Sequence, residues 1–318
     1  MIYIMIKSFY TKCKAHSQKY KVCVLSVMLD YLYAKAFYGF CGEDYFLNSP
    51  GYAMKNFQKK EFFSHREWLK ILKQLNDEIY IHILDNKVET LKYFREFISH
   101  DWCYPREISE KQFNQFIANN QRIICKPISE EGGNGVGLYQ QSADWGGYNE
   151  LKKNDYLLEE YIKQHPAMSF CNTSVNTVRV YSVLDRQGIA HILKAVLRAG
   201  VGDSVVDNFH SGGVIYPVNV EHGFIESYGV RRVENDKVFI HPGTDIVMLG
   251  FKIPHWELMK ETVRKMAETL PQVRYIGWDM VITPDGVDLI EANNNADHAL
   301  FGRIGCNKLF LNKLKSLV

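Results

Sequence analysis

A chain of 318 residues that is 46% hydrophobic and 23% charged can bury a large core and divide into two or three lobes. Its formal net charge of +2 gives no electrostatic case for a nucleic acid or an anionic membrane surface as a partner. The seven cysteines, Cys13, Cys23, Cys41, Cys103, Cys125, Cys171 and Cys306, are odd in number, scattered and without a C-x-x-C pair, which argues for reduced thiols in a cytoplasmic protein and against a disulfide scaffold or zinc site.

No signal peptide is expected, because Lys7, Lys12 and Lys14 follow the first apolar residues and no small-residue cleavage site does. Val22 to Phe40 is the most hydrophobic run. Asp30 and Lys35 interrupt it and it is barely long enough to cross a bilayer, so it reads as a buried or interfacial helix and not as a span. Residues 1–84 read as a helical region, with helical periods through Val22–Phe37 and Arg66–Leu75. Its aromatic residues, Tyr31, Tyr33, Phe37, Tyr38, Phe40, Tyr45 and Phe46, read as core packing, with a docking surface for an apolar or lipid-linked partner as the alternative.

Glu78 to Leu84 alternates like a short strand, and Val88 to Ile98 then has helical period, with Asp85 or Asn86 as its N-cap. Lys87 falls in the first helical turn, where a cation opposes the helix dipole; a phosphate contact and a solvated lysine both fit. Arg122 to Cys125 reads as a strand ended by Lys126 and Pro127. Gly132, Gly133, Gly135 and Gly137 follow, a loop able to turn several backbone N–H groups toward one anion. It is neither a Walker A motif nor a dinucleotide fingerprint, which leaves a flap over a nucleotide or a plain hairpin turn.

Tyr156 to Ile162 is an apolar strand bearing Glu159 and Glu160. Asn176–Leu184 and His191–Leu197 flank Asp185-Arg186-Gln187-Gly188 as a hairpin, with Arg179 inside the first strand and Arg198 closing the second. An arginine inside a strand needs a carboxylate or phosphate partner. Asp207 to Gly213 is a polar loop of the kind that serves a site. Pro254 to Leu270 reads as a helix with Glu257, Lys260, Glu261 and Arg264 outward and Leu258, Val263 and Met266 inward; a last helix covers about Lys308 to Leu317.

Trp278–Ile282 and Val287–Ala292 flank Thr283-Pro284-Asp285-Gly286, a turn in which Pro presets φ, Asp caps its own backbone and Gly takes positive φ. A three-residue loop would set Thr283 opposite Val287, Ile282 opposite Asp288, Val281 opposite Leu289, Met280 opposite Ile290 and Asp279 opposite Glu291. Asn293 shares the face of Glu291. Like charges opposed at roughly 5 Å repel, and two carboxylates with a carboxamide suit a hard cation such as Mg²⁺.

The order of these pieces resembles the ATP-grasp superfamily over roughly Lys87 to His298. IICKPISEEGGNGVG, SVNTVRV, VDNFHSGGV and GWDMVITPDGVDLIEAN are most similar to its sugar-transfer-associated members, and the N-x-H-x-G-G loop resembles glutamate-ligase-type carboxylate–amine ligases. The resemblance implies an α+β ATP-grasp fold in which two α+β lobes clasp ATP. The lid lobe would cover 85–162 and the core lobe 163–318, after the helical region 1–84. It implies ATP and Mg²⁺ as cofactors. Lys87 and Lys126 would meet phosphates, under a lid of Gly132 to Gly137 that includes Gly133, Gly135 and Val136. Glu159, Glu160, Tyr161 and Ile162 would meet the adenosine, with Glu160 as the functional acid. Asp279, Glu291 and Asn293 would hold the metal, with Arg198, Lys126, Asn208 and Arg179 as the catalytic set.

The activity so implied is ATP-dependent ligation of a carboxylate to an amine through an acyl phosphate. An amino acid joined to a sugar or peptide acceptor in surface-polysaccharide or related biosynthesis would fit. A kinase acting on a small-molecule hydroxyl and a non-catalytic nucleotide-binding regulator are the alternatives. The helical region departs from the superfamily's usual preceding domain, and peripheral membrane contact stays open.

Overall fold

The computed structural model describes residues 2–47, 49, 51–128, 135–139, 146–170, 175–202, 213–231, 237–296 and 307–318. The chain divides into two units, Met1–Gln74 with Asp297–Ser316, and Leu75–Ala296 with Leu317–Val318.

In the first unit the described regular elements are helical: α1 (Ile2–Tyr20), α2 (Val24–Tyr38), α3 (Gly42–Phe46), α4 (Asn56–Glu61), α5 (His65–Leu75) and the chain's last helix, Asn307–Leu317. Gly39 ends α2 at φ 74°, a left-handed cap in which glycine avoids a Cβ penalty. The aromatic residues pack inward in part: Tyr31, Phe40 and Tyr45 are buried with Cys13, Val27 and Ala34, and Phe9 and Phe46 pack against them. Asp30, the acid that interrupts the apolar run, pairs with buried Lys59 at 2.5 Å and accepts from the Tyr45 hydroxyl at 2.6 Å. No described helix is long and apolar enough to cross a membrane.

The second unit begins differently from the strand expected at Glu78–Leu84. Asp77 accepts from the Ile79 N–H at 2.9 Å through its carboxylate and from the Tyr80 N–H at 3.0 Å through its carbonyl. That turn leads into α6 (His82–Asp85), because a local side-chain bond offers the backbone an alternative to a sheet. Asn86 then caps α7 (Lys87–Tyr93), accepting from the Val88 and Glu89 N–H groups at 2.9 and 3.3 Å. A 3₁₀ turn, Arg95–Phe97, replaces the rest of the expected helix.

Two antiparallel sheets follow. The smaller has the order β1-β4-β2-β3, from β1 (Trp102–Cys103), β2 (Ile123–Pro127), β3 (Gly137–Leu138) and β4 (Tyr156–Glu160). Helices α8 (Glu110–Asn119) and α9 (Tyr148–Lys153) lie in the connections. The larger has the order β11-β10-β5-β6-β7-β8-β9. Its strands are β5 (Thr177–Leu184), β6 (Ala190–Ala199), β7 (Val214–Val218), β8 (Gly229–Arg231), β9 (Lys237–Val238), β10 (Tyr275–Ile282) and β11 (Val287–Asn293).

Helix α10 (Trp256–Thr269) shares a core with one face of the larger sheet, joining Met259, Val263 and Met266 to Val178, Val180, Leu197, Trp278 and Met280. The inward set read from sequence needs correction here. Leu258 is 43% exposed, and Lys260 is buried and donates to the Glu221 carbonyl at 3.0 Å. Leu258 and Val263 are five positions apart, and at 3.6 residues per turn that puts them about 140° apart around the helix.

The register of the β10–β11 hairpin also differs from expectation. The Thr283 N–H donates to the Gly286 carbonyl, and the Gly286 N–H to the Thr283 hydroxyl, both at 3.0 Å. Only Pro284 and Asp285 lie between them, so Ile282 faces Val287, Val281 faces Asp288 and Met280 faces Leu289. The register then shifts between Met280 and Asp279, leaving Ile290 as a bulge, and Asp279 faces Glu291 as expected.

Candidate active site

Asp279 sits in the middle strand of a charged row. Its cross-strand neighbours are Glu291 on β11 and Arg179 on β5, and Arg198 reaches it from β6. Cross-strand partners point to the same face, so the hairpin and the two arginine strands deliver these groups together. The Arg179 guanidinium binds both oxygens of Asp279, through Nε to one and through Nη2 to Oδ2 at 2.7 Å; Arg198 Nη1 donates to Oδ2 at 2.8 Å. Burial works against a charged Asp279, and the two guanidiniums outweigh it and hold its pKa below the usual range.

Glu291 has the opposite balance. Burial and the charge of Asp279 push its pKa up, against the pull of Lys87, Arg179 and Lys126. The two opposed carboxylates are therefore unequal: one is neutralised by arginines and the other is left short of positive charge. Asn293 follows on the same face, opposite Gly277, and its amide nitrogen is buried without a hydrogen-bond partner. A Cβ at Gly277 would meet the Ala296 Cβ at 2.2 Å and the Arg179 stem at 3.3 Å, so the glycine admits both. Among the described residues no three His, Cys, Asp or Glu side chains form a metal cluster; this set is two carboxylates and a carboxamide.

Lys126 and Glu159 are brought together from β2 and β4 as an ion pair, with Glu159 almost fully buried. His100 donates to Glu159 Oε1 at 3.3 Å from Nε2, and to Asp288 Oδ2 at 3.1 Å from Nδ1. Burial opposes the imidazolium, yet Asp288 and Glu159 overcome it and raise the His100 pKa to about 9. Burial likewise opposes the Glu159 carboxylate, and Lys126 and His100 lower its pKa to about 2. A four-member chain of alternating charge thus runs Asp288–His100–Glu159–Lys126. Asp288 also accepts from the Ser99 N–H at 3.1 Å, the Ser99 hydroxyl at 2.5 Å and the His100 N–H at 3.0 Å, tying the hairpin to the approach of β1.

A cleft of about 110 Å³ opens beside this chain. The smaller sheet and its loops supply Ile124, Lys126, Val136, Glu159, Glu160, Tyr161 and Ile162, the larger sheet and the approach to it supply Val175, Thr177 and Ile290, and His100 completes the lining. Five of these, Val136, Glu159, Glu160, Tyr161 and Ile162, are the adenosine-facing or lid residues expected from the sequence. Glu159 turns its carboxylate to Lys126 and His100, while the Glu160 carboxylate accepts from the Asp101 N–H at 3.1 Å. Gly135 takes φ 69° beside Pro127, at the described end of the glycine-rich loop. Lys87 donates to the Ile128 carbonyl at 3.3 Å and contributes to the field at Glu291.

Gly132, Gly133 and Asn208 lie outside the described residues. Sequence reasoning missed His100 and Asp288. Asp288 carried a signal, an acid between Val287 and Leu289 in a strand, which needs a buried partner; His100 carried none.

Two antiparallel sheets with a cleft between them, one carrying a lysine–glutamate pair and the other an Asp–Glu–Asn hairpin, are the parts of an ATP-grasp fold. The chain belongs to the sugar-transfer associated ATP-grasp family, which residues 146–314 match, more than half its length. Among solved structures it is similar to the ATP-grasp ligase PsnB complexed with a phosphomimetic variant of its minimal precursor, Mg and ADP: 15% identity, 79% of this chain and 66% of that chain covered, TM-score 0.46. It is also similar to an ADP complex of purK, an N5-carboxyaminoimidazole ribonucleotide synthetase: 12% identity, 78% and 59% covered, TM-score 0.45. An L-amino acid ligase from Bacillus licheniformis gives 12% identity, 74% and 48% covered, TM-score 0.42. The chain thus spans less than two thirds of the length of each of these proteins. No curated protein matches it.

Proposed function

We propose that the protein is an ATP- and Mg²⁺-dependent carboxylate–amine ligase, joining an amino acid to a sugar or peptide acceptor in surface-polysaccharide or related biosynthesis. The observation that carries the reading is the charged row: Arg179 and Arg198 on Asp279, Glu291 opposite, and the fields of Lys87 and Lys126 reaching Glu291. The smaller sheet, within 85–162, acts as the lid lobe, and the larger, within 163–318, as the core lobe.

Asp279, Glu291 and Asn293 fit a hard divalent cation, since all three offer oxygen, and Glu291, whose pKa is raised by burial and then by Asp279, is a carboxylate whose charge such a cation would compensate. When bound, Mg²⁺ supplies charge neutralisation for the phosphates. The adenine enters the cleft lined by Ile124, Val136, Tyr161 and Ile162. A substrate carboxylate attacks the γ-phosphorus, the bond to the β–γ bridging oxygen breaks, and ADP leaves an acyl phosphate. The amine nitrogen then attacks the acyl carbon, phosphate departs, and the amine loses a proton. The first step brings two anions together. Lys87, Lys126, Arg179 and Arg198 offset that repulsion, and in this reading Arg198 also stabilises the oxyanion of the second step. The loop ending in Gly135 and Val136 keeps water from the acyl phosphate.

The test is ADP release with candidate acids in the presence of hydroxylamine. Hydroxamate formation supports the ligase. ADP with a phosphorylated alcohol and no hydroxamate refutes it in favour of a kinase. Nucleotide binding by calorimetry without turnover on any acceptor refutes it in favour of a regulator.

A further inference from the structure

Helix α2 has two apolar faces and the fold uses one of them. Val27, Tyr31 and Ala34 are buried with Cys13, Phe40 and Tyr45, while Leu25, Leu29, Leu32, Tyr33 and Phe37 are 40–67% exposed. At 100° per residue these five, with exposed Ala36, form one stripe opposite the buried one. The stripe runs roughly 18 Å and presents on the order of 500 Å² of apolar surface, the size of the largest patch on a typical monomer, which is often functional.

The segment that carries the stripe is basic. Helix α1 carries Lys7, Lys12, Lys14 and Lys19 without a single acid, Lys21 follows, and all five are exposed. Helix α1 also exposes Ile6 and Tyr10. Residues 1–40 hold six lysines and one acid, Asp30, which Lys59 already neutralises. The +2 of the whole chain therefore conceals a concentration of positive charge in the segment that carries the apolar stripe. A second copy of the chain is a poor occupant, since self-pairing would bring together two segments of like positive charge, six lysines and one acid in each. Helix α2 is too short and too interrupted to span a bilayer, and it can lie in the plane of one.

We propose that the outer face of α2 seats in the interfacial layer of an anionic bilayer, with Leu25, Leu29, Leu32 and Phe37 among the acyl chains and the lysines of α1 on the headgroups. The inference is independent of the ligase reading. It is tested by co-sedimenting the full chain with vesicles of phosphatidylglycerol and phosphatidylcholine, against vesicles of phosphatidylcholine alone. Binding is expected to anionic vesicles, with a loss of about tenfold or more on raising salt or on Lys12→Gln/Lys14→Gln, since each basic residue near the surface contributes about a factor of five. Leu29→Gln/Phe37→Ser, which alters only exposed positions, is expected to lose binding at unchanged unfolding temperature. No sedimentation with anionic vesicles, or full binding by Leu29→Gln/Phe37→Ser, overturns the proposal. A concentration-dependent dimer that Leu29→Gln/Phe37→Ser disperses also overturns it and assigns the face to a second copy.

Discussion

Replacing His100 by Leu removes the one cation between two buried acids. Asp288 is 0% exposed and Glu159 3%, so neither can recover its lost hydrogen bond from water. Breaking a buried ion pair from one side costs about 3–5 kcal/mol, and that is the expected loss near pH 6. The pH dependence is the sharper signature. His100 has a folded pKa of about 9 against 6.5 when free, so its contribution is complete below pH 6.5 and is lost as pH rises through 9. At about 1.4 kcal/mol per pH unit, that interval is worth on the order of 3 kcal/mol. Glu159 acts in the other direction: with its pKa lowered to about 2 from 4.5, its contribution is complete above pH 4.5 and lost as pH falls through 2. Urea unfolding at about pH 6 and about pH 9.5, followed by tryptophan fluorescence, is the assay. Wild type should lose on the order of 3 kcal/mol more than His100→Leu between the two conditions. Equal losses in both proteins, or a variant within about 1 kcal/mol of wild type at pH 6, would refute the alternating chain of charge.

Glu291→Gln should abolish ADP formation, by about 100-fold or more, at nearly unchanged unfolding temperature; wild-type turnover would remove Glu291 from the metal set. Asp279→Asn should also abolish turnover but lose about 3 kcal/mol of stability, because it strands Arg179 and Arg198, and urea unfolding separates the two cases. Gly277→Ala should cost about 1–3 kcal/mol, since the new Cβ would stand 2.2 Å from that of Ala296. Asn86→Ala should cost about 1 kcal/mol by uncapping α7, checked by the same unfolding curves.

The charged row was legible because a strand has a period of two and a turn has its own residue chemistry. Asp279 opposite Glu291 followed from counting back from Pro-Asp-Gly, although the turn is one residue tighter than the count assumed and a bulge restores the step. Arg179 and Arg198 were legible as strand arginines that need partners, and the partner proved to be Asp279. Glu78–Leu84 misled because its alternation is real while Asp77 diverts the backbone into a turn. His100 was illegible: its two acids lie 59 and 188 residues away, and nothing local announces a contact at that distance. The second face of α2 was visible as an apolar run, but which half of it faces outward depends on what α1 covers.

The bulge at Ile290 separates two things a hairpin normally couples, the length of its turn and the identity of the residues that meet at its far end. Below it, the tight Thr283–Gly286 closure sets the pairing for packing on α10 and for placing Asp288. Above it, the pairing is set anew for Asp279 and Glu291. The hairpin works as a vernier with two scales. A lineage that lengthened or shortened this turn by one residue could gain or lose the bulge and still keep its carboxylates face to face. A two-residue turn with the bulge and a three-residue turn without it are thus equivalent for Asp279 and Glu291.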